Sequence, residues 1–234
     1  MIRALLTIDD LASKNTPALL DYLKEKGITP LLFGVGEALE VNRKEAEYAL
    51  RCGFIIGNHS YSHPFFSELT MDEAVEEINR CEAVLDKLYH DCCVERRYRP
   101  FRFPYGDKGG KNKDALQAYL REKGFDKVDD RALAYPFWDA KGYRTDIDTF
   151  WSFDIEEYRI RKGSGFTLES VMEKIHDPQP EEGAALLAEG NSHIILFHAH
   201  DDTDEMVPRY YEKIIGHLIE CGVKFDGPRF LPKD

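Results

Sequence analysis

Residues 2–33 read IRALLTIDDLASKNTPALLDYLKEKGITPLLF, a stretch in which two short apolar runs flank one amphipathic segment. The pattern predicts a strand, a helix and a second strand, at residues 2–7, 17–26 and 29–33. Thr16 is a suitable N-cap for the helix, Pro17 favours its first position, and Gly27 suits the residue after its last turn. A strand, a helix and a strand in this order predict a parallel sheet.

The same alternation continues along the chain. Further strands are predicted at residues 54–57, 100–103, 149–152 and 193–197. Further helices are predicted between Asn42 and Gly53, from Thr70 onwards, and at residues 113–123, 167–175 and 208–220. Residues 129–148 and 177–190 interrupt the alternation and are predicted to be loops. The count favours an α/β fold, a (β/α) barrel of seven or eight units in a single domain over residues 1–234.

Composition narrows the classes of function. The 234 residues carry a formal net charge of -12, which argues against nucleic-acid binding because phosphate recognition needs a surplus of Lys and Arg. The apolar run at residues 2–7 is too short for a signal peptide or a membrane span, so no membrane partner is expected. The five cysteines have no CxxC spacing, which favours a reducing compartment. We therefore expect a cytoplasmic protein, and a secreted form with free thiols stays open.

Polar residues follow the predicted strands at their carboxyl ends. Since these ends meet at one end of a parallel barrel, side chains there are expected to converge. The candidates are Asp9 and Asp10 after the first strand, His59 and His63 after the third, Arg102 after the fourth, Asp154, and His198 after the last. Two imidazoles four residues apart with one carboxylate can bind a metal and leave a position open for water. Taken singly, each group also has an ordinary structural explanation, such as a turn, a polar surface or an ion pair.

These motifs, in this order, resemble the polysaccharide deacetylase (NodB-homology) family, carbohydrate esterase family four. The matching stretches are Thr7-Ile8-Asp9-Asp10, His59-Ser60-Tyr61-Ser62-His63, Arg102-Phe103-Pro104-Tyr105-Gly106 and Leu196-Phe197-His198. The resemblance implies a distorted, TIM-barrel-like (β/α) barrel. It also implies a divalent metal held by Asp10, His59 and His63, usually zinc, although cobalt, nickel or iron would suit the same donors.

The resemblance further implies a role for each remaining motif residue. Asp9 would be the general base that takes a proton from the metal-bound water, and Arg102 would hold that carboxylate in place. A backbone N–H near Tyr105 would help to stabilise the oxyanion, and His198 would protonate the departing amine.

One motif, at residues 151–158, matches the family pattern less closely. Glu157 and Asp154 are both candidates for the acidic neighbour that tunes His198. Residues expected beside the substrate are Tyr105, Trp151, Tyr158 and Phe197. His200 is a candidate supporting group, whereas His90, His176 and His217 are expected to be solvated.

The expected function is metal-dependent hydrolysis of N-acetyl groups on an amino-sugar oligosaccharide or polysaccharide. Two alternatives stay open: a small-molecule amidase acting on non-peptide C–N bonds, and a catalytically silent carbohydrate-binding protein of the same fold. An acetylated amino sugar is the expected partner, and the sequence makes no prediction of the oligomeric state.

Overall fold

A computed structural model describes residues 1–181 and 183–233. Its strands are β1 (Ile2–Leu11), β2 (Leu31–Gly34), β3 (Ile55–Asn58), β4 (Phe153–Asp154), β5 (Ser192–His198) and β6 (Val223–Asp226). Its helices are α1 (Thr16–Glu25), α2 (Gly36–Val41), α3 (Arg43–Arg51), α4 (Met71–Asp91), α5 (Lys113–Glu122), α6 (Pro136–Ala140), α7 (Leu168–His176), α8 (Asp201–Met206) and α9 (Tyr210–Glu220). Short 3-10 helices occur at Phe66–Glu68, Pro104–Gly106, Gly110–Asn112 and Glu157–Arg159.

The sheet is parallel throughout its named strands. Its order is β3-β2-β1-β5-β4, and β6 pairs with the first half of β1. Two irregular contacts close the ring. Phe101 forms a parallel bridge with Asn58 at the end of β3, and its carbonyl accepts a hydrogen bond from the N–H of Thr149 just before β4. The predicted barrel is therefore confirmed, in a distorted form in which one wall is reduced to the bridge at Phe101.

Side chains alternate between the two faces of each strand and so form two separate apolar clusters. On β1, Leu6 and Ile8 pack in the large cluster beneath the helices, whereas Leu5 packs in a second cluster inside the barrel with Phe33 and Ile194. Successive side chains on a strand point to opposite faces. Positions 7 and 9 therefore share the interior face with Leu5. This face carries the polar residues at the carboxyl end of the barrel.

The element boundaries differ from the predicted ones in several places. The strand predicted at 149–152 lies two to four residues later, at Phe153–Asp154, and the strand predicted at 100–103 is only the bridge at Phe101. This side of the barrel is closed by few backbone hydrogen bonds. Both apolar runs therefore form short contacts and not full strands.

One predicted N-cap makes no capping bond, and another lies one residue earlier than predicted. Asn42 is the N-cap residue of α3, as predicted, but its side chain donates to the carbonyl of Ala12 at 2.7 Å and makes no capping hydrogen bond. Helix α1 begins at Thr16 itself, with Asn15 as N-cap, because the Thr16 hydroxyl accepts from the N–H of Ser13 in the preceding turn.

Four helices and strands of the described residues were not predicted: α2, α6, which lies in the predicted loop 129–148, α8 and β6. Within the predicted loop 177–190 the described residues form turns and bends, and Glu182 lies outside the described residues. Across residues 1–181 and 183–233, no helix combines the length and the apolar character needed to cross a membrane.

Candidate active site

The polar residues at the carboxyl end of the barrel surround one cavity of about 450 Å³. Its lining includes most of the predicted site residues: Asp9, Asp10, His59, His63, Tyr105, Trp151, Asp154, Tyr158 and His198. Arg102 lies directly behind Asp9, and Glu157 directly behind His198. Strand alternation explains this convergence, because each strand sends every second side chain into the barrel.

Asp9 and Arg102 form a buried ion pair. The guanidinium Nη1 donates to Asp9 Oδ1 at 2.7 Å and to the hydroxyl of Thr7 at 2.7 Å, and Nε donates to the carbonyl of Thr149 at 2.9 Å. Arg102 is 1% exposed and Asp9 is 3% exposed. Three fixed acceptors hold the guanidinium, which in turn fixes the orientation of the Asp9 carboxylate.

Asp10 reaches the same cavity only because β1 is irregular there. On a regular strand two successive side chains would point to opposite faces. The pairing of β1 with β2 shifts register between Ile8 and Leu11, and Asp10 has a φ of 61°, in the left-handed region. Such a conformation costs a non-glycine residue about 1 kcal/mol or more, and strain of this kind concentrates at functional sites.

Asp10, His59 and His63 form a candidate metal centre. Asp10 Oδ1 lies 3.2 Å from His63 Nε2 and 3.7 Å from His59 Nε2, and the three donor atoms fall within 4.8 Å of one another. His59 Nδ1 lies 2.8 Å from the carbonyl of Arg102. Because a carbonyl can only accept, Nδ1 carries a proton, and Nε2 is the ring nitrogen directed at Asp10 and the cavity.

A hydrogen-bonded turn positions the second histidine. Ser60 donates its N–H to the side chain of Asn58 at 2.8 Å, and the hydroxyl of Ser60 accepts from the N–H of His63 at 3.0 Å. Ser60 and His63 both have φ values in the left-handed region, 64° and 60°. The tight turn brings both imidazoles to one side, with ring centroids 4.9 Å apart.

The charges of this trio suit metal binding. Burial and the neighbouring His59 lower the pKa of His63 to about 4, so its ring is neutral at pH 7 and can act as a ligand. Burial alone would raise the pKa of Asp10, but the hydrogen bond from His200 and the nearby imidazoles hold it well below its usual range. A carboxylate, Asp10, and a neutral imidazole, His63, are therefore present near neutral pH.

His198 faces the cavity from β5. Its backbone N–H and its Nδ1 both contact Glu157 Oε1, at 2.7 and 3.0 Å. Burial opposes the charged imidazole, but Glu157, Asp10 and Asp154 outweigh it and raise the pKa of His198 to about 10. The ring is therefore protonated at pH 7, with Nδ1–H bound to Glu157 and Nε2–H left for the cavity.

Asp154 has a separate environment. Its Oδ1 accepts the N–H of Glu156 at 2.9 Å, and burial raises its pKa to about 6 despite the opposing charge of His198. Of the two acidic candidates, Glu157 is thus the one that hydrogen-bonds the histidine, and Asp154 lines the cavity beside it.

Phe197 does not line the cavity, contrary to the prediction. It is fully buried and stacks on Tyr210 beneath the helices, at a centroid distance of 5.4 Å. The reason is alternation on β5, where residues 196 and 198 face inwards and 197 faces outwards. Leu196 takes the expected place beside the cavity.

The sequence analysis did not identify Arg161, and it gave His200 only as a candidate supporting group. Both line the cavity, and His200 Nε2 lies 2.6 Å from Asp10 Oδ2 while Arg161 contacts the other ring nitrogen at 3.4 Å. Arg161 follows a 3-10 helix and has no pattern that marks it. The His198-x-His200 spacing was visible, since residues two apart on a strand share a face.

Aromatic side chains form the rim. Tyr105 is 57% exposed, stacks on Phe65 at 4.1 Å and meets the edge of His63 at 4.5 Å. Tyr158 packs against His198 at 4.8 Å. The cavity is therefore bounded by flat apolar faces around a polar floor.

A larger hollow of about 580 Å³ lies at the opposite end of the barrel. Of its three arginines, Arg3 pairs with Asp226 and Arg131 with Asp129. These two pairs neutralise part of the positive charge there. The reactive groups belong to the smaller cavity.

The three histidines expected to be solvated have different surroundings. His90 has an 87% exposed side chain, and His176 is also exposed, as expected. His217 is only partly exposed, and its Nε2 lies 2.8 Å from that of His176, next to Cys221. This contact was not predicted, because the two side chains come from different helices.

The family model described as polysaccharide deacetylase matches residues 2–128, more than half of the chain. Chitin deacetylase 1 of Cryptococcus neoformans var. grubii is 29% identical over 172 residues, which cover 73% of this chain and 32% of that protein. Peptidoglycan-N-acetylglucosamine deacetylase of Bacillus cereus is 33% identical over 105 residues, which cover 44% and 36%. The chain thus spans about a third of the length of these curated relatives.

Solved structures show the same fold. A peptidoglycan N-acetylglucosamine deacetylase superposes with a TM-score of 0.65 at 22% identity, covering 96% of this chain and 85% of that chain. A family four pseudoenzyme from Bacillus anthracis superposes with a TM-score of 0.58 at 21% identity, covering 95% and 62%. With the family model matched over more than half of its length, the chain belongs to the polysaccharide deacetylase family.

Proposed function

We propose that this protein is a metal-dependent hydrolase that removes N-acetyl groups from an amino-sugar oligosaccharide or polysaccharide. The observation that carries the proposal is the arrangement around one cavity of a fixed carboxylate, Asp9, a metal-binding trio, and a protonated imidazole, His198. Amide hydrolysis needs a proton acceptor for water and a proton donor for the leaving nitrogen.

The donor set suits a divalent transition metal. Asp10 Oδ1 is buried and has no hydrogen-bond partner among the described residues, although it faces two imidazole nitrogens. A buried carboxylate oxygen without a partner is costly, and a cation between these atoms would satisfy it. Asp10, His59 and His63 would hold the ion, and one oxygen with two nitrogens suits zinc, cobalt, nickel or iron. When bound, such an ion polarises the carbonyl and lowers the pKa of water.

Asp9 is placed to accept a proton. Arg102 binds Oδ1, and this leaves Oδ2 facing the cavity, 3.4 Å from His59 Nε2. The free oxygen therefore lies beside the candidate metal position in a fixed orientation. Preorganisation of this kind avoids reorienting a charged group during the reaction.

His198 is placed to donate a proton. Glu157 binds Nδ1–H and keeps the ring charged, and Nε2–H is left for the leaving nitrogen of the substrate. An amine leaves poorly unless it is protonated, so a charged imidazole there has a defined task. Glu157 is 0% exposed, which protects the pair from solvent.

The aromatic rim of the cavity favours a sugar as the substrate. Exposed aromatic faces at Phe65 and Tyr105 continue from the cavity edge, as a site for an extended glycan would require. The relatives are named as deacetylases of chitin and of peptidoglycan N-acetylglucosamine, and both names indicate acetylated amino sugars. The presence of each reactive group favours an active enzyme over a silent member of the family.

The test is acetate release by the purified chain with added zinc from three substrates: N-acetylated chito-oligosaccharides, small N-acetyl amides and acetylated xylan. Release from the chito-oligosaccharides, and its loss in Asp9→Asn but not in the exposed control Asp72→Asn, is the expected result. Activity on small amides alone would favour the amidase alternative. Binding of chito-oligosaccharides without any acetate release would favour the silent binding protein.

A further inference from the structure

A second cluster of metal-ligating side chains lies away from the cavity. His176 is the last residue of α7, His217 lies in the last turn of α9, and Cys221 follows that helix directly. His217 and Cys221 are four residues apart, so they share one face of the helix end. The three donor atoms form the other group in the described chain able to hold a metal ion.

The distances within this cluster are close to those of a tetrahedral zinc site. His176 Nε2 and His217 Nε2 are 2.8 Å apart, and Cys221 Sγ lies 3.5 Å from His217 Nε2 and 4.0 Å from His176 Nε2. Zn–N distances of about 2.0 Å and Zn–S distances of about 2.3 Å at tetrahedral angles separate two nitrogens by about 3.3 Å and a nitrogen from a sulfur by about 3.6 Å. Shifts of about half an ångström would therefore complete the geometry.

The electrostatic surroundings also favour a cation. Both α7 and α9 end at this cluster, and the carboxyl end of a helix carries partial negative charge. Glu220 Oε2 lies 4.0 Å from His217 Nδ1, so a negative charge stands close to the cluster. His176 is exposed and the other two ligands are partly exposed, so an ion can enter from solvent.

We propose that His176, His217 and Cys221 form a second metal site, selective for a thiophilic divalent ion of the zinc class, which links α7 to α9. Helices in this barrel run opposite to the strands, so their carboxyl ends lie at the end of the barrel opposite to the catalytic cavity. The site therefore has a structural role: it ties the two helices together just before the chain enters β6. The proposal does not depend on the deacetylase activity.

Cobalt provides a probe that sees only this site. A thiolate bound to Co²⁺ gives a near-ultraviolet charge-transfer band, and the trio Asp10, His59 and His63 contains no thiol. We expect the full chain, stripped of metal and titrated with Co²⁺, to develop this band. The band should persist in His63→Ala and in the control Cys93→Ser, which removes an exposed thiol elsewhere, and it should disappear in Cys221→Ser.

Zinc stoichiometry gives the second readout. After equilibration with zinc, bound metal should fall by one ion per chain in His217→Gln relative to the wild type, and should be unchanged in His90→Gln, a matched exposed histidine. A wild-type chain without the cobalt band, or a band that survives Cys221→Ser, would show that His176 and His217 form only an N–H···N hydrogen bond. The wild-type spectrum tests the proposal even if a variant folds poorly.

Discussion

At the level of single residues, the site contains a buried ion pair, Arg102 with Asp9, whose charges lose their hydration when the chain folds. Arg102 and Asp9 are both nearly inaccessible to solvent, and Arg102 also donates hydrogen bonds to Thr7 and Thr149. A buried ion pair of this kind contributes little net stability, because desolvation offsets the attraction. Its value lies in the fixed direction of the Asp9 carboxylate.

Removal of one partner should lower the free energy of unfolding by more than the intact pair contributes to it. Arg102→Ala leaves the Asp9 carboxylate buried without its cation, and we expect the free energy of unfolding to fall by about 3 to 5 kcal/mol. Urea denaturation measures this loss. The control is Arg97→Ala, whose exposed pair with Glu95 should leave the free energy of unfolding close to that of the wild type. Equal effects of the two substitutions would contradict the buried-pair account.

The pairing of His198 with Glu157 predicts a pH dependence. The folded-state pKa of His198, about 10, lies above its ordinary value of 6.5. The folded chain therefore holds a proton that the unfolded chain releases over this range, so stability from this pair is full below pH 6.5 and is lost as the pH rises towards 10. In the metal-free protein, Glu157→Gln should have a smaller fall in the free energy of unfolding across this range than the wild type.

Histidine NMR titration and pH-dependent denaturation together check that prediction. The exposed control Glu173→Gln should retain the wild-type slope. A wild-type His198 resonance that titrates near pH 6.5 would show that Glu157 does not hold the proton.

The sequence identified most of these residues because each follows a predicted strand. Asp9, His59 and His198 needed only the rule that carboxyl ends converge. The choice of Glu157 over Asp154 needed the pairing of β4 with β5, which brings together positions 41 residues apart. The meeting of His176 with Cys221 likewise depends on how two helices pack, which no local pattern contains.

At the scale of elements, β1 and α4 have the most direct influence on the site. The irregular end of β1 turns Asp10 into the cavity beside Asp9. Helix α4 supports β3 from behind, where Glu82 and the carbonyl of Ile78 both accept hydrogen bonds from Asn58 at 2.9 Å. The histidine turn therefore rests on a helix that the sequence predicts clearly.

The start of α4 is fixed by a capping box. The Thr70 hydroxyl accepts from the N–H of Glu73, and the Glu73 carboxylate accepts from the N–H of Thr70 at 2.8 Å. We expect Thr70→Ala to lower the free energy of unfolding by about 1 kcal/mol, because helix N–H groups lose their acceptor. Glu76→Ala, an exposed change on the same helix, should stay within about 0.5 kcal/mol. Thermal unfolding of the two variants compares them, and a neutral Thr70→Ala would contradict the role of the cap.

Long amphipathic elements were predicted well, and short ones were not. The capping box and the apolar stripe of α4 are local signals, so sequence alone located that helix. Strand β4 has two residues and the wall at Phe101 has one bridge, so neighbouring strands, and not local preference, decide where they pair. Helix α6 has five residues and was hidden in a segment rich in turn formers.

In the molecule as a whole, the two ends of the barrel carry different sets of side chains. The carboxyl end carries the polar cavity and the aromatic rim, and the opposite end carries paired charges and the proposed second metal site. Under the proposed function the floor of the cavity would hold the acetyl group of any substrate, so only the rim could distinguish long substrates from short ones.

The rim predicts a dependence on substrate length. Phe65→Ala removes the ring that stacks on Tyr105, and we expect KM for a long chito-oligosaccharide to rise roughly two- to tenfold, with little change for a short one. Steady-state kinetics on both substrates measures the difference. Tyr98→Ala, which removes an exposed ring stacked on Phe230 outside the cavity lining, is the control. Equal changes for short and long substrates would argue against a glycan path over the rim.

The proposed activity depends on Asp10, His59 and His63 holding one divalent cation in the cavity. Zinc-edge anomalous diffraction from crystals equilibrated with zinc would locate this ion. We expect an anomalous peak about 2.0 to 2.2 Å from an Asp10 carboxylate oxygen and from Nε2 of both histidines. Crystals that bind zinc without a peak at this position, in a protein that releases acetate, would contradict it.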